Sequence, residues 1–122
     1  MLLKLSAIIS CANECRKIIL NKYGNVQGNC VECSELIISS LDSLGIKAQL
    51  IEGWVEFDYY EGCTNYSYDP HSWVEFSFNN IKYILDATCD QFNYFLVKNM
   101  PEIYLGIDLP KGWSYKEPLN KI

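Results

Sequence analysis

A chain of 122 residues has the length of one compact domain able to bury its own apolar core, so we expect residues 1–122 to form a single domain. Hydrophobic residues at 49% and charged residues at 20% exclude the disordered, collagen-like and coiled-coil classes. A net charge of −5 with one arginine leaves no basic footprint for phosphates, and no apolar run reaches the roughly 18 residues of a membrane span, which argues against nucleic acid and membrane as partners.

Met1 to Cys11 has the apolar, apolar, small, Cys order of a lipoprotein site at Ile8-Ile9-Ser10-Cys11, but its apolar stretch is too short for an export signal. The six cysteines (11, 15, 30, 33, 63 and 89) are therefore expected as free thiols in a reducing, cytoplasmic setting rather than as three bridges. From Leu5 to Lys22, apolar residues at three- and four-residue spacing predict a helix with one buried stripe of Leu5, Ile8, Ile9, Ala12, Cys15 and Ile19, ended by Tyr23-Gly24-Asn25. Asn29 is placed to cap a second helix with Glu32 as its third residue, Leu36, Ile37, Leu41 and Leu44 on one face, and Gly45 as a left-handed stop.

Ile46 to Phe57 reads as a strand, followed by a polar, Tyr-rich loop from Asp58 to Pro70. Its aromatic and acidic make-up suits recognition of a peptide or protein surface. Trp73 to Phe78 and Ile81 to Ala87 then flank Asn79-Asn80, a pair that tolerates positive φ, and predict a hairpin. That turn sets Phe78 opposite Ile81, Phe76 opposite Tyr83 and Val74 opposite Leu85 on one apolar face. The other face carries His71, Trp73, Asp86 and Thr88, with His71 diagonal to Asp86 at about 7 Å between Cα atoms. Beyond Gln91 the pattern yields only an edge strand at Ile103 to Ile107 and a Pro/Lys-rich tail. The expected fold is α+β, an antiparallel sheet of three to five strands packed against the two helices.

Three positions stand out chemically. Cys30 opens the second helix, where unpaired N–H groups and the helix dipole favour a thiolate; the plainer reading is a small apolar residue starting a buried helix. His71 is the chain's one histidine, and Asp86 is the carboxylate the hairpin register brings to it. An Asp on one ring nitrogen sets the tautomer and leaves the other nitrogen to take the thiol proton. The alternative for Asp86 is a strand-end residue capping the next turn.

The segment Gly28-Asn29-Cys30-Val31-Glu32-Cys33-Ser34-Glu35-Leu36, running to Leu44-Gly45-Ile46 and on to Gly53, resembles the nucleophile helix of the transglutaminase-like superfamily, a branch of the papain-like cysteine enzymes. His71-Ser72-Trp73-Val74-Glu75, followed fifteen residues after the His by Asp86-Ala87-Thr88, is similar to that family's second block. The resemblance covers roughly Val26 to Phe92 and implies a papain-like core with Cys30 as nucleophile, His71 as general base and then acid, and Asp86 as its orienter. The chain departs from the pattern at Ala87, usually Pro, at Ser34, usually Ala, and at Lys47 and Gln49, where Pro and Arg are common. The run from Asp86 to Phe92 is also similar to a variant in small bacterial and phage papain-like proteins, deamidase toxins included.

The expected function is thiol-dependent acyl transfer that cleaves an amide in a peptide or protein, as peptidase, amidase or glutamine deamidase, with no cofactor or metal. The Cys30 N–H and the Gln27 side chain are candidate oxyanion donors, and Trp73 is placed to shield the His–Asp pair. Two other classes compete. One is a non-catalytic binding or inhibitor module on the same scaffold; the other is a metal or redox domain using Cys30-x-x-Cys33 with Cys63, Cys89 and His71.

Overall fold

The structure, a computed structural model, describes residues 4–57, 66–92, 101–107 and 113–118. Helix α1 (Leu5–Tyr23) buries Ile8, Ala12, Cys15 and Ile19 of the expected stripe and, unexpectedly, Arg16; Leu5 is only partly buried, and Ile9, expected on the same stripe, lies off the core-facing side and is exposed. It stops at Gly24, whose left-handed φ of 85° lets its N–H reach the Leu20 carbonyl at 2.8 Å. Helix α2 (Cys30–Ser43) buries Cys33, Ser34, Ile37 and Leu41. Its end is a Schellman turn: with Gly45 at φ 83°, Gly45 N–H bonds the Asp42 carbonyl and Ile46 N–H bonds the Leu41 carbonyl, both at 2.9 Å.

The start of α2 differs from the expected cap. Asn29 makes no side-chain bond to the first turn; its amide donates backward to the carbonyls of Gln27 (3.2 Å) and Asn25 (3.4 Å). Glu32 does not close a capping box either. It accepts from the Tyr23 hydroxyl at 2.8 Å and pairs with Lys22 at 3.3 Å, tying the end of α1 to the start of α2.

The sheet is antiparallel with five strands in the order β4-β3-β2-β1-β5: β1 (Ala48–Phe57), β2 (Tyr66–Phe78), β3 (Ile81–Asp86), β4 (Tyr104–Gly106) and β5 (Trp113–Lys116). The hairpin register is the one the sequence predicts, with Phe78↔Ile81, Phe76↔Tyr83 and Val74↔Leu85, and both turn asparagines have positive φ. Two expectations need correction. The Tyr-rich loop does not run to Pro70, because β2 begins at Tyr66 and carries Pro70 and His71 within it. The register passes from Gly53↔His71 to Val55↔Tyr68, so Trp54 faces both Asp69 and Pro70 in a bulge, a place where a residue lacking an N–H is tolerated. The second correction is β5, a strand in what reads as a tail. The Asp58 to Asn65 part of the Tyr-rich loop lies outside the described residues.

The sheet is buried on both faces over its middle. On one, Val74, Phe76 and Leu85, joined by Ala87, pack with Ile8, Ala12, Ile19, Cys33, Ile37 and Leu41 of the helices. On the other, alternation places Ile51, His71, Trp73 and Asp86, all buried. Among the described residues, no helix is long and apolar enough to cross a membrane.

The single arginine is a structural tie. Arg16 grips Asp90 through both terminal nitrogens (2.7 and 2.8 Å) and donates to the carbonyls of Ala87 (2.7 Å) and Glu102 (3.0 Å). It thereby clamps the short 3-10 turn Cys89–Phe92 that follows β3 against α1. Arg16→Met strands the Asp90 charge and is expected to cost about 3–5 kcal/mol in urea unfolding. The double variant Arg16→Met/Asp90→Leu should cost less than Arg16→Met alone; an equal or larger loss would contradict the tie.

Candidate active site

Each residue of the site is delivered by an element whose local chemistry places it. Cys30 is the first residue of α2, half-exposed, and the Asn29 side chain before it makes no cap bond to the first-turn N–H groups. His71 sits on β2 next to the bulge, opposite Gly53 of β1. Asp86 is the last residue of β3. The diagonal relation read from the hairpin becomes a direct bond: His71 Nε2 lies 2.7 Å from Asp86 Oδ2, with both side chains almost wholly buried.

Nε2 is committed to Asp86, so Nδ1 is the ring nitrogen left for the thiol, and Cys30 lies within interaction range of the ring. Burial alone would push the Cys30 thiol up. The His71 imidazole, by hydrogen bonding and charge, and the Ser72 main-chain N–H outweigh it, and the thiol is held below its ordinary value. Burial likewise disfavours the charged ring, but the Asp86 carboxylate overcomes it and raises the His71 pKa to about 9. Asp86 is fully desolvated, yet its pKa is lowered by His71, by Thr88 N–H and by the Tyr115 hydroxyl. The two shifts run in opposite directions, the thiol down and the imidazole up, and both favour charge separation between Cys30 and His71.

Asp86 both bonds His71 and caps the turn that follows β3. Its Oδ1 caps the following turn, accepting from Thr88 N–H at 2.9 Å and Thr88 Oγ1 at 3.1 Å. Its Oδ2 accepts from His71 and from the Tyr115 hydroxyl, 2.9 Å away. Trp73 is buried beside the pair, its ring 6.0 Å from that of His71 and its Nε1–H bonded to Glu75. Gln27 is exposed on the turn before α2.

Two contributors are not legible in the sequence reading. Tyr115 comes from β5, and the signal for it is the alternation Trp113-Ser114-Tyr115-Lys116, too short to outweigh its Gly and Pro flanks. Gln91 bridges the turn after Asp86 to the segment before Cys30. Its Nε2 donates to the Thr88 carbonyl at 2.9 Å, and its Oε1 accepts the Gly28 N–H at 3.4 Å.

The other thiols differ in kind. Burial pushes Cys15 up, Cys33 up to about 12 and Cys89 higher still. Cys33 is 1% exposed within the helix–sheet core, which accounts for it as packing. Among the described residues, no group of three His, Cys, Asp or Glu side chains converges on a metal position, and Cys63 lies outside them.

The family model of the transglutaminase-like superfamily matches residues 16–87, which takes in Cys30, His71 and Asp86. The chain belongs to this superfamily, whose members are usually cysteine-dependent enzymes built on a papain-like fold. Comparison with curated proteins and with solved structures gave no match.

The thiol electrostatics give a direct expectation. With limiting iodoacetamide at pH 7, Cys30 is alkylated well ahead of Cys15, Cys33 and Cys89, read by peptide mass spectrometry. His71→Ala returns the thiol toward its ordinary range, where only a few per cent is ionised at pH 7, and slows Cys30 labelling by about tenfold. Equal rates at all four positions would contradict the pairing.

Proposed function

We propose that the protein is a cysteine-dependent acyl-transfer enzyme that cleaves an amide in a peptide or protein. The observation that carries this reading is a helix-start thiol beside an imidazole whose far nitrogen is bound to a buried carboxylate. The Cys30 thiolate attacks the amide carbon, forming the C–S bond and a tetrahedral oxyanion. The Cys30 main-chain N–H at the uncapped helix start is the first donor to that oxyanion, and Gln27 on the preceding turn is the candidate second. The His71 imidazolium passes its proton to the nitrogen as the C–N bond breaks, leaving a thioester and a neutral ring. Water gives a proton to that ring as it attacks the thioester, and the departing thiolate restores the starting pair. Asp86 keeps the ring in the tautomer and orientation both steps need.

Hydrolysis is preferred to amine transfer because no feature for holding a second amine can be read from the sequence. The Trp73 indole, stacked near His71, shields the His–Asp pair from water, which strengthens its electrostatics.

A peptide library containing glutamine at every position, read by mass spectrometry, separates the possible outcomes. Two fragments mark a peptidase, conversion of Gln to Glu a deamidase, and an adduct with added primary amine a transglutaminase. Cys30→Ala and His71→Ala abolish the product within detection, and Asp86→Asn slows it by a factor of about 10² or more. Product formation that persists in Cys30→Ala overturns the mechanism. No product, together with ordinary thiol reactivity at Cys30, favours a binding module.

A further inference from the structure

Strand β5 lies beyond the stretch that matches the superfamily, yet one of its side chains reaches the centre of the candidate site. We propose that Tyr115 is a positioning residue, its hydroxyl holding the Asp86 carboxylate in the orientation that receives His71; this rests on the reading of Cys30, His71 and Asp86 given above.

The carboxylate takes two donors on each oxygen. Thr88 supplies both on Oδ1, while His71 Nε2 and the Tyr115 hydroxyl share Oδ2 at 2.7 and 2.9 Å. Without the phenol, Oδ2 is left with His71 as its one described donor, and apart from the ring it is meant to position, the carboxylate is held by Thr88. The Tyr115 ring also walls the pair. It lies 4.8 Å from the Trp73 ring and 6.3 Å from the His71 ring, centroid to centroid.

The backbone is shaped to deliver this residue. Tyr115 pairs with Val55 of β1, and the neighbouring Lys116 carbonyl passes so close to Gly53 that a methyl group there would collide with it. Gly53 is also the register partner of His71. A single glycine thus lets the strand carrying Tyr115 approach at the level of the imidazole. Tyr115 acts on the carboxylate and not on the reacting atoms.

Its effect has a definite sign. The hydroxyl hydrogen stabilises the Asp86 charge but sits near the imidazolium N–H. Removing it leaves more negative charge for the ring and tightens proton binding there. His71 is the chain's one histidine, so its ring gives a single set of imidazole resonances to titrate by NMR. The wild-type ring should titrate near 9. Tyr115→Phe, which keeps the packing, is expected to raise that value by about half a unit to one unit, on the scale of a charge-assisted hydrogen bond shared between two donors. Site-specific replacement of Tyr115 by 3-fluorotyrosine, a stronger donor of nearly the same shape, should lower it and decides the matter if Tyr115→Phe does not fold. A wild-type ring near 9 that neither replacement moves overturns the role of Tyr115 alone. A wild-type ring titrating near 6.5 overturns the underlying pair, and this inference with it.

Discussion

Placing an ionised carboxylate in the interior costs several kcal/mol unless its lone pairs are met, and Asp86 is buried with 2% of its surface exposed. Four hydrogen bonds meet the requirement, drawn from β2, from the turn after β3 and from β5. The charge is therefore a gathering point for segments far apart in the chain. It also sets the electrostatics of everything attached to it. The Asp86 carboxylate raises the pKa of His71, and the His71 ring in turn lowers that of Cys30.

The surroundings of Asp86 are braced independently of the site chemistry. Arg16 ties Ala87 and Asp90 to α1, and Gln91 ties Thr88 to the segment that leads into Cys30. The helix bearing the thiol and the strand end bearing the carboxylate are thus linked through one short turn. This suits a site in which an error of about 1 Å between reacting groups is costly. Burial of the sheet on both faces serves the same end, since the His–Asp pair sits in a closely packed layer and not at a loose edge.

What the sequence made legible follows the range of each signal. Helix stripes and their glycine stops are local, and α1 and α2 end within a residue or two of their expected limits. The Asn79-Asn80 turn propagates its register along two strands, which is why the nearness of His71 to Asp86 is legible in the sequence. The errors lie where distant partners decide. Asn29 offered a cap, but its amide found nearer carbonyls in the preceding turn. Pro70 reads as the end of a loop, and only the bulge against Trp54 shows how β2 carries it. Arg16, Gln91 and Tyr115 act across separations of 29 to 86 residues that no spacing pattern reports.

The central claim is a Cys30 thiolate sustained by a protonated His71 on a buried Asp86. Ultraviolet absorbance of the thiolate, followed across pH as the difference between wild type and Cys30→Ser, reads it most directly. The account predicts a thiolate signal already present at neutral pH, and its retreat to the ordinary thiol range in His71→Ala. A wild-type signal that rises only near 9, unchanged by loss of the imidazole, would contradict it.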